Sequence, residues 1–186
     1  TGYLSYRMVE IMNDQKSVEV LVFMGVSGCG KSTVGENIAK KLGVRYAEGD
    51  TFHSAINVEK MRSGTPLNDE DREPWLTVMA NTIAEWVEAG EGGVLSCSAL
   101  KRKYRDRLRG DYGLGGPIRF VFLNGSFELI EGRMQQRENH YMPPGLLTSQ
   151  FATLEEPDEE EQAIYIDISS SPEVLATEVL ISLDEG

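Results

Sequence analysis

Eight consecutive residues, Gly25-Val26-Ser27-Gly28-Cys29-Gly30-Lys31-Ser32, satisfy the pattern GxxxxGK(S/T). Glycines at this spacing let backbone N–H groups turn inward around phosphate oxygens, the lysine reaches the outer phosphates of a nucleotide, and the serine hydroxyl can ligate Mg²⁺. Thr33 offers a further hydroxyl to the inner phosphate. Cys29 lies inside the loop, either as a small filler or as a thiolate favoured by the positive end of the following helix. Nucleotide binding alone does not separate a kinase from a GTPase or a motor.

A second polar group sits a short way on. Glu48-Gly49-Asp50 follows a short extended stretch, where open α/β sheets place ligand groups at the carboxyl edge. Asp50 can accept the proton of an attacking hydroxyl, hold water on Mg²⁺, or cap the helix beginning near Ala55. His53, Asn57, Lys60 and Arg62 complete the cluster, with His53 read either as a hydroxyl-recognition group or as a surface histidine. Farther along, Arg133 and Arg137 stand four apart on a predicted helix and share a face. From there they can pair with charge on a transferring phosphoryl group, or with Glu131 and Glu138 beside them.

These residues need a scaffold, and the hydrophobic pattern supplies one. Val18 to Met24 is an apolar, β-branched run, and Val34, Ile38 and Leu42 follow the glycines at helical spacing, giving strand, loop and helix in order. Arg45–Ala47, Val94–Cys97, Ile118–Leu123 and Ile164–Ile168 read as four more strands. Between or after them lie helices: one with Pro74 in its first turn and an apolar stripe from Trp75 to Val87, one over Phe127–Glu138, and one over Glu173–Leu183. Trp75 opens that stripe and is read as core. Such interleaving predicts an α/β fold with a mainly parallel five-stranded sheet and helices on both faces. The Pro-bearing segment Asn139–Glu160 is either a solvated loop or a mobile lid.

Composition narrows the ligand. The 186 residues suit one domain, and 18 basic against 30 acidic side chains leave a net charge of −12. Such a surface disfavours nucleic acid and anionic membranes, so an anionic ligand must be met locally by backbone N–H groups and a few clustered cations. The two cysteines, Cys29 and Cys97, stand in different motifs outside any metal-ligand spacing, and no apolar run approaches a membrane span. A reduced, cytoplasmic setting is the default expectation.

The blocks around the second cluster carry a specific resemblance. Asp50-Thr51-Phe52-His53, Asn57-Val58-Glu59-Lys60-Met61, Gly64 to Arg72, Pro74-Trp75-Leu76, Cys97-Ser98-Ala99-Leu100-Lys101 and Tyr104-Arg105-Asp106 resemble the gluconokinase family. So do His140 to Pro143, Leu146-Leu147, Ser149-Gln150-Phe151, Leu154-Glu155 and Pro157, and the likeness spans about Val20 to Asp167. The resemblance implies a P-loop NTPase fold like that of shikimate and adenylate kinases. Its implied reaction is transfer of the ATP γ-phosphoryl, with Mg²⁺, to the 6-hydroxyl of D-gluconate, giving 6-phospho-D-gluconate for the pentose phosphate pathway, and its members are commonly homodimers. The expected organisation is an N-terminal extension over 1–17 and one kinase domain over 18–186, with a substrate-binding segment near 50–76 and a lid near 134–156.

A polyol carrying one carboxylate needs forked donors for the acid and acceptors along its hydroxyls. Arg72 and Arg105 are the expected carboxylate partners, with Lys60 and Lys101 as further cations, although Lys101 to Arg109 also reads as a solvated basic helix face. Ser98, just past the third strand, and His140 are further substrate-contact candidates, Gln150 is a candidate for contact with nucleotide or substrate, Lys31, Asp50, Arg133 and Arg137 are the expected catalytic set, and Ser32 with Asp50 faces the metal. By likeness to related kinases, one of Arg133 and Arg137 stacks beneath adenine while the other serves the phosphates. The chain departs from the family pattern at Cys29, where Ser is common, and at Ser54, where Pro is common. Shikimate or another hydroxy-acid kinase is the neighbouring reading, weakened because Val94-Leu95-Ser96-Cys97-Ser98 stands where a glycine triplet belongs. A nucleoside monophosphate kinase would carry an Asp-Gly-Phe-Pro-Arg element that has no counterpart here. A nucleotide-binding protein without transfer is the remaining alternative.

Overall fold

The uninterrupted apolar run Val20 to Met24 demands cover on both faces, and the fold supplies it. A computed structural model describes residues 19–136 and 145–185. Its strands are β1 (Val20–Met24), β2 (Arg45–Glu48), β3 (Gly93–Ser96), β4 (Ile118–Asn124) and β5 (Ile164–Asp167). They form one all-parallel sheet in the order β2-β3-β1-β4-β5, with Val20 in register with Gly93 on one side and Ile118 on the other. The helices are α1 (Lys31–Leu42), α2 (Ala55–Arg62), α3 (Asp69–Glu88), α4 (Arg102–Arg109), α5 (Phe127–Gln135), α6 (Leu146–Thr153) and α7 (Pro172–Asp184).

Alternation along β1 divides the core in two. Leu21 and Phe23 pack with Val34 and Ile38 of α1 and Leu175 and Val179 of α7. Val20, Val22 and Met24 face the other way, onto Trp75, Met79 and Ile83 of α3 and Leu108 of α4. β5 is an edge strand, and its burial alternates accordingly: Ile164 and Ile166 point inward while Tyr165 and Asp167 are exposed. β1 is central, between β3 and β4, and β2, β3 and β1 lie side by side and parallel, so their carboxyl ends share one edge of the sheet, where open α/β sheets take their ligands.

Two boundaries differ from expectation. α3 starts at Asp69, ahead of Pro74, because Asn68 and Asp71 form a reciprocal capping box: the Asp71 N–H donates to Asn68 Oδ1 at 2.8 Å and the Asn68 N–H to Asp71 Oδ2 at 3.1 Å. α5 ends at Gln135 with Gln136 as its cap, short of the expected Glu138, and the expected site residues Arg137 and His140 lie outside the described residues. The expected extension 1–17 and the middle of the expected lid lie outside them too. Among the described residues no helix is long and apolar enough to cross a membrane.

Arg105 requires a correction. It is fully buried, its Nε and Nη2 donate to the two carboxylate oxygens of Glu161 at 2.7 Å each, and its Nη1 donates to the carbonyls of Ala99 and Glu155 at 3.0 and 2.9 Å. A guanidinium so engaged and so far from solvent is a structural clamp, not a carboxylate receptor. Arg109 adds a third bond to Glu161 at 2.7 Å and lies over the Phe120 ring at 4.6 Å. The basic run of α4 is thus partly interior, which a solvated-face reading did not anticipate. Burial alone would push the Glu161 carboxyl up, but the two guanidiniums outweigh it and hold it at about 2.

Glu161→Ala strands two buried cations, and we expect a loss of about 3–5 kcal/mol in urea denaturation at pH 7. The wild-type contribution from this carboxylate is full above its unfolded pKa, about 4.3. It fades as pH falls from there toward about 2, so acid titration of the variant should show a shallower loss over that window.

Candidate active site

Gly25 ends β1 at a φ of 141°, and a Cβ there would lie 2.9 Å from the Leu123 carbonyl oxygen and 2.8 Å from Cys29 Sγ. Only glycine lets the chain leave the strand at this point. The loop that follows ends at Gly30, which starts α1 in a left-handed conformation with no side-chain cap and no acidic residue in the first turn. The first N–H groups of α1 are therefore unspent, and a helix N-terminus of this kind attracts an anion. Val26 and Cys29 are buried and anchor the loop, whereas Ser32 and Thr33 are exposed at the start of α1. Cys29 is fully enclosed within the loop, with Lys31 Nζ 4.0 Å from its Sγ.

Lys31 folds back over the loop, its Nζ donating to the Val26 carbonyl at 3.0 Å. The Ser32 hydroxyl donates to Glu48, whose carboxylate also takes the Tyr46 hydroxyl at 2.8 Å. Tyr46 reaches Ser96 at 3.0 Å, and Ser96 Oγ donates to the Lys31 carbonyl at 3.1 Å, so β2, β3 and α1 are laced together beneath the loop. Burial pushes the Tyr46 hydroxyl above its ordinary pKa, which keeps it protonated beside Glu48. Glu48 was not singled out above, yet it is the carboxylate that touches Ser32. Its signal was the Glu-x-Asp spacing at the end of β2.

Asp50 stands on a single 3-10 turn, Gly49–Phe52, directly after β2. A Cβ on Gly49 would meet the Ser96 carbonyl oxygen at 2.4 Å, so glycine permits the turn to press against β3. Trp75 Nε1 donates to the Gly49 carbonyl at 2.7 Å, and the Trp75 and His53 rings stack with centroids 4.2 Å apart. Trp75 is core, as expected, and it also pins the turn. Ser54, not Asp50, caps α2, accepting the Asn57 N–H at 3.2 Å. The Asp50 carboxylate stays exposed and accepts no hydrogen bond among the described residues.

Two buried polar atoms here have no partner among the described residues, His53 Nδ1 and Arg72 Nε. Atoms of this kind call for a ligand or water to complete them. Arg72 lies 5.3 Å from the centre of the Tyr104 ring and Lys101 lies 5.6 Å from it. Asp69 gathers Lys101 at 3.2 Å, Lys103, and the Tyr104 hydroxyl at 2.5 Å, and these donors hold its carboxyl well below the usual range. Burial pushes the Cys97 thiol up to about 12, with the charges of Asp50, Lys31 and Arg72 acting on it in smaller measure.

The remaining candidates divide. Ser98 is half-buried and its carbonyl accepts the Gly25 N–H at 3.2 Å, joining the end of β3 to the loop. Ala99 behind it has a φ of 45°, a strained value for a residue with a Cβ, and Arg105 holds its carbonyl. Lys60 is spent on Asp71 at 2.6 Å, tying α2 to α3. Arg133 donates to the Ile168 carbonyl at the end of β5. Gln150 reaches neither Asp50 nor Arg72 but bonds the phosphate loop at Ser27.

This geometry has counterparts. A family model described as an AAA domain matches residues 20–157. The gluconokinase of Gluconobacter oxydans is 48% identical over 160 residues, covering 86% of this chain and 88% of that one. The chain belongs to the gluconokinase family. A solved gluconokinase from Sinorhizobium meliloti superposes with a TM-score of 0.81 at 41% identity, covering 92% of this chain and 94% of that one. Shikimate kinase from Aquifex aeolicus, at 17% identity and a TM-score of 0.52 over 89% of this chain and 96% of its own, shares the fold alone. Family membership makes the unspent N–H groups of the loop a nucleotide site in a kinase.

Two outcomes follow. Gly25→Ala should weaken ADP binding by at least about tenfold in calorimetric titration, because both its backbone angle and its neighbours reject a Cβ. His53 is held below its ordinary pKa, chiefly by burial, so its folded form resists protonation. Its contribution to stability is full above about pH 6.5 and falls as pH drops below that value. His53→Gln should flatten the dependence of urea midpoint on pH between 5 and 7.

Proposed function

We propose that this protein transfers the γ-phosphoryl group of ATP to the 6-hydroxyl of D-gluconate, and the observation that carries the acceptor is the orphaned pair His53 Nδ1 and Arg72 Nε beside Asp50. A forked guanidinium suits the sugar-acid carboxylate, and a neutral imidazole suits a hydroxyl. Arg72 lies against the Tyr104 ring, and Lys101, held by Asp69, lies against the same ring, a local grouping of cations in a chain whose net charge is −12. Asp50, exposed at the tip of a pinned turn, takes the proton of the 6-hydroxyl as its oxygen bonds to phosphorus. The bond from that phosphorus to the bridging oxygen breaks, ADP leaves, and 6-phospho-D-gluconate remains.

Lys31 exchanges the Val26 carbonyl for the outer phosphates and steadies the charge that develops there. Arg133, at the carboxyl end of β5, serves the nucleotide from the other side. Mg²⁺ suits the donors present: Ser32 Oγ as a direct ligand and Glu48 and Asp50 as holders of its water, in keeping with an ion that takes few protein ligands and keeps several waters. When bound, it offsets charge on the outer phosphates. The family likeness also supports a cytoplasmic homodimer working in the pentose phosphate pathway.

In an ADP-release assay with D-gluconate, shikimate and other sugar acids, gluconate should be the preferred acceptor; a preference for shikimate would overturn the assignment. Asp50→Asn should lower kcat by about 10²–10⁴ while leaving ATP binding intact. Arg72→Lys should raise the KM for gluconate by about tenfold or more, since a point charge replaces a fork.

A further inference from the structure

Gln150 lies 123 residues from Ser27 in the chain and makes two bonds to it: its Oε1 accepts the Ser27 N–H at 2.7 Å and its Nε2 donates to Ser27 Oγ at 3.1 Å. Ser27 is the third residue of the phosphate loop and has no glycine freedom of its own. Its neighbours are already held. Val26 is buried and gives its carbonyl to Lys31, while Met134 and Ile130 of α5 occupy the space beside the Gly28 α-carbon. Gln150 completes this set by holding both polar groups of the remaining residue, so that the peptide leading into Gly28 has one orientation.

The helix that delivers Gln150 is itself fixed. Leu146 and Leu147 of α6 are buried, and Phe151 packs edge-on against Phe127 at 5.5 Å. Just beyond α6, the Glu155 N–H donates to the Leu100 carbonyl at 2.7 Å, Glu155 Oε2 accepts the Arg102 N–H at 2.7 Å, and Arg105 clamps the Glu155 carbonyl. Little side-chain freedom is left to lose when Gln150 meets the loop.

We infer that Gln150 is a positioning residue for the nucleotide: it presets the phosphate loop through Ser27 and does not contact the sugar acid. The inference rests on the nucleotide half of the proposed function and is independent of which acceptor is used. A neutral amide at this place orients the loop without competing with Lys31 for the phosphates. A carboxylate of the same shape would keep an acceptor for the Ser27 N–H yet bring negative charge toward the bound anion.

The test is equilibrium binding of ATP and ADP by calorimetry to the full chain without acceptor, for wild type, Gln150→Ala and Gln150→Glu, with thermal unfolding alongside. Loss of two hydrogen bonds in Gln150→Ala should weaken ATP by about tenfold. Gln150→Glu should weaken it further, with a smaller effect on ADP, while its unfolding temperature stays near that of wild type. At saturating ATP the KM for gluconate should be unchanged in both variants. Wild-type ATP affinity in Gln150→Glu would overturn the inference, as would a rise confined to the gluconate KM. Should Gln150→Ala fold poorly, Gln150→Glu decides alone. If no acceptor is phosphorylated at all, the proposed reaction fails while the binding measurements still judge Gln150.

Discussion

Helix α1 begins at Lys31 behind Gly30, an N-cap with no side chain to offer, and the arrangement of the site depends on the unspent N–H groups of its first turn. An uncapped helix start is costly unless water or a ligand completes it, so a chain that keeps one at the carboxyl edge of its central strand maintains a standing site for an anion. The surrounding structure preserves that state. Gly25 lets the strand end without blocking the loop, Lys31 rests on the Val26 carbonyl, and the Tyr46–Ser96–Glu48 lacing fixes the first turn of α1 from below.

An acidic protein that handles two anionic substrates must concentrate its cations, and this one sorts its arginines by burial. Arg105 and Arg109 are interior and matched to Glu161, where they hold the turn after β3 and the end of α6 in one body. Arg72 is only partly enclosed and keeps Nε without a partner among the described residues. The same side chain thus serves as a clamp where its donors are all engaged and keeps a donor to offer where one is left over. Asp69 plays the complementary part, drawing Lys101, Lys103 and Tyr104 together at the mouth of α3.

Reading the chain along its length located the five strands to within a residue or two and recovered the phosphate loop, since both are written in neighbouring residues: an apolar run over five positions in β1, glycines over six in the loop. Helix α3 was misplaced at its start for a local reason, the capping box at Asn68 and Asp71 being overlooked in favour of Pro74. Glu48 was named beside Asp50 but given no role of its own, although it stands only two residues away. Arg105 was misjudged for a different reason. Nothing within its own helix announces that Glu161, 56 residues away, will share its interior position.

The sequence by itself determined the chemistry on offer: a phosphate cradle, a carboxylate two residues past β2, and a set of cations in an otherwise acidic chain. Only the tertiary structure decided which of those groups are spent inside the protein and which are left over. It gave Arg105 to the core, left Arg72 Nε without a partner among the described residues, and set Gln150 against Ser27. Backbone conformation is set by neighbours in sequence, whereas desolvation and hydrogen-bond partnership are set by neighbours in space, and here those partners are supplied by segments 50 to 123 residues apart.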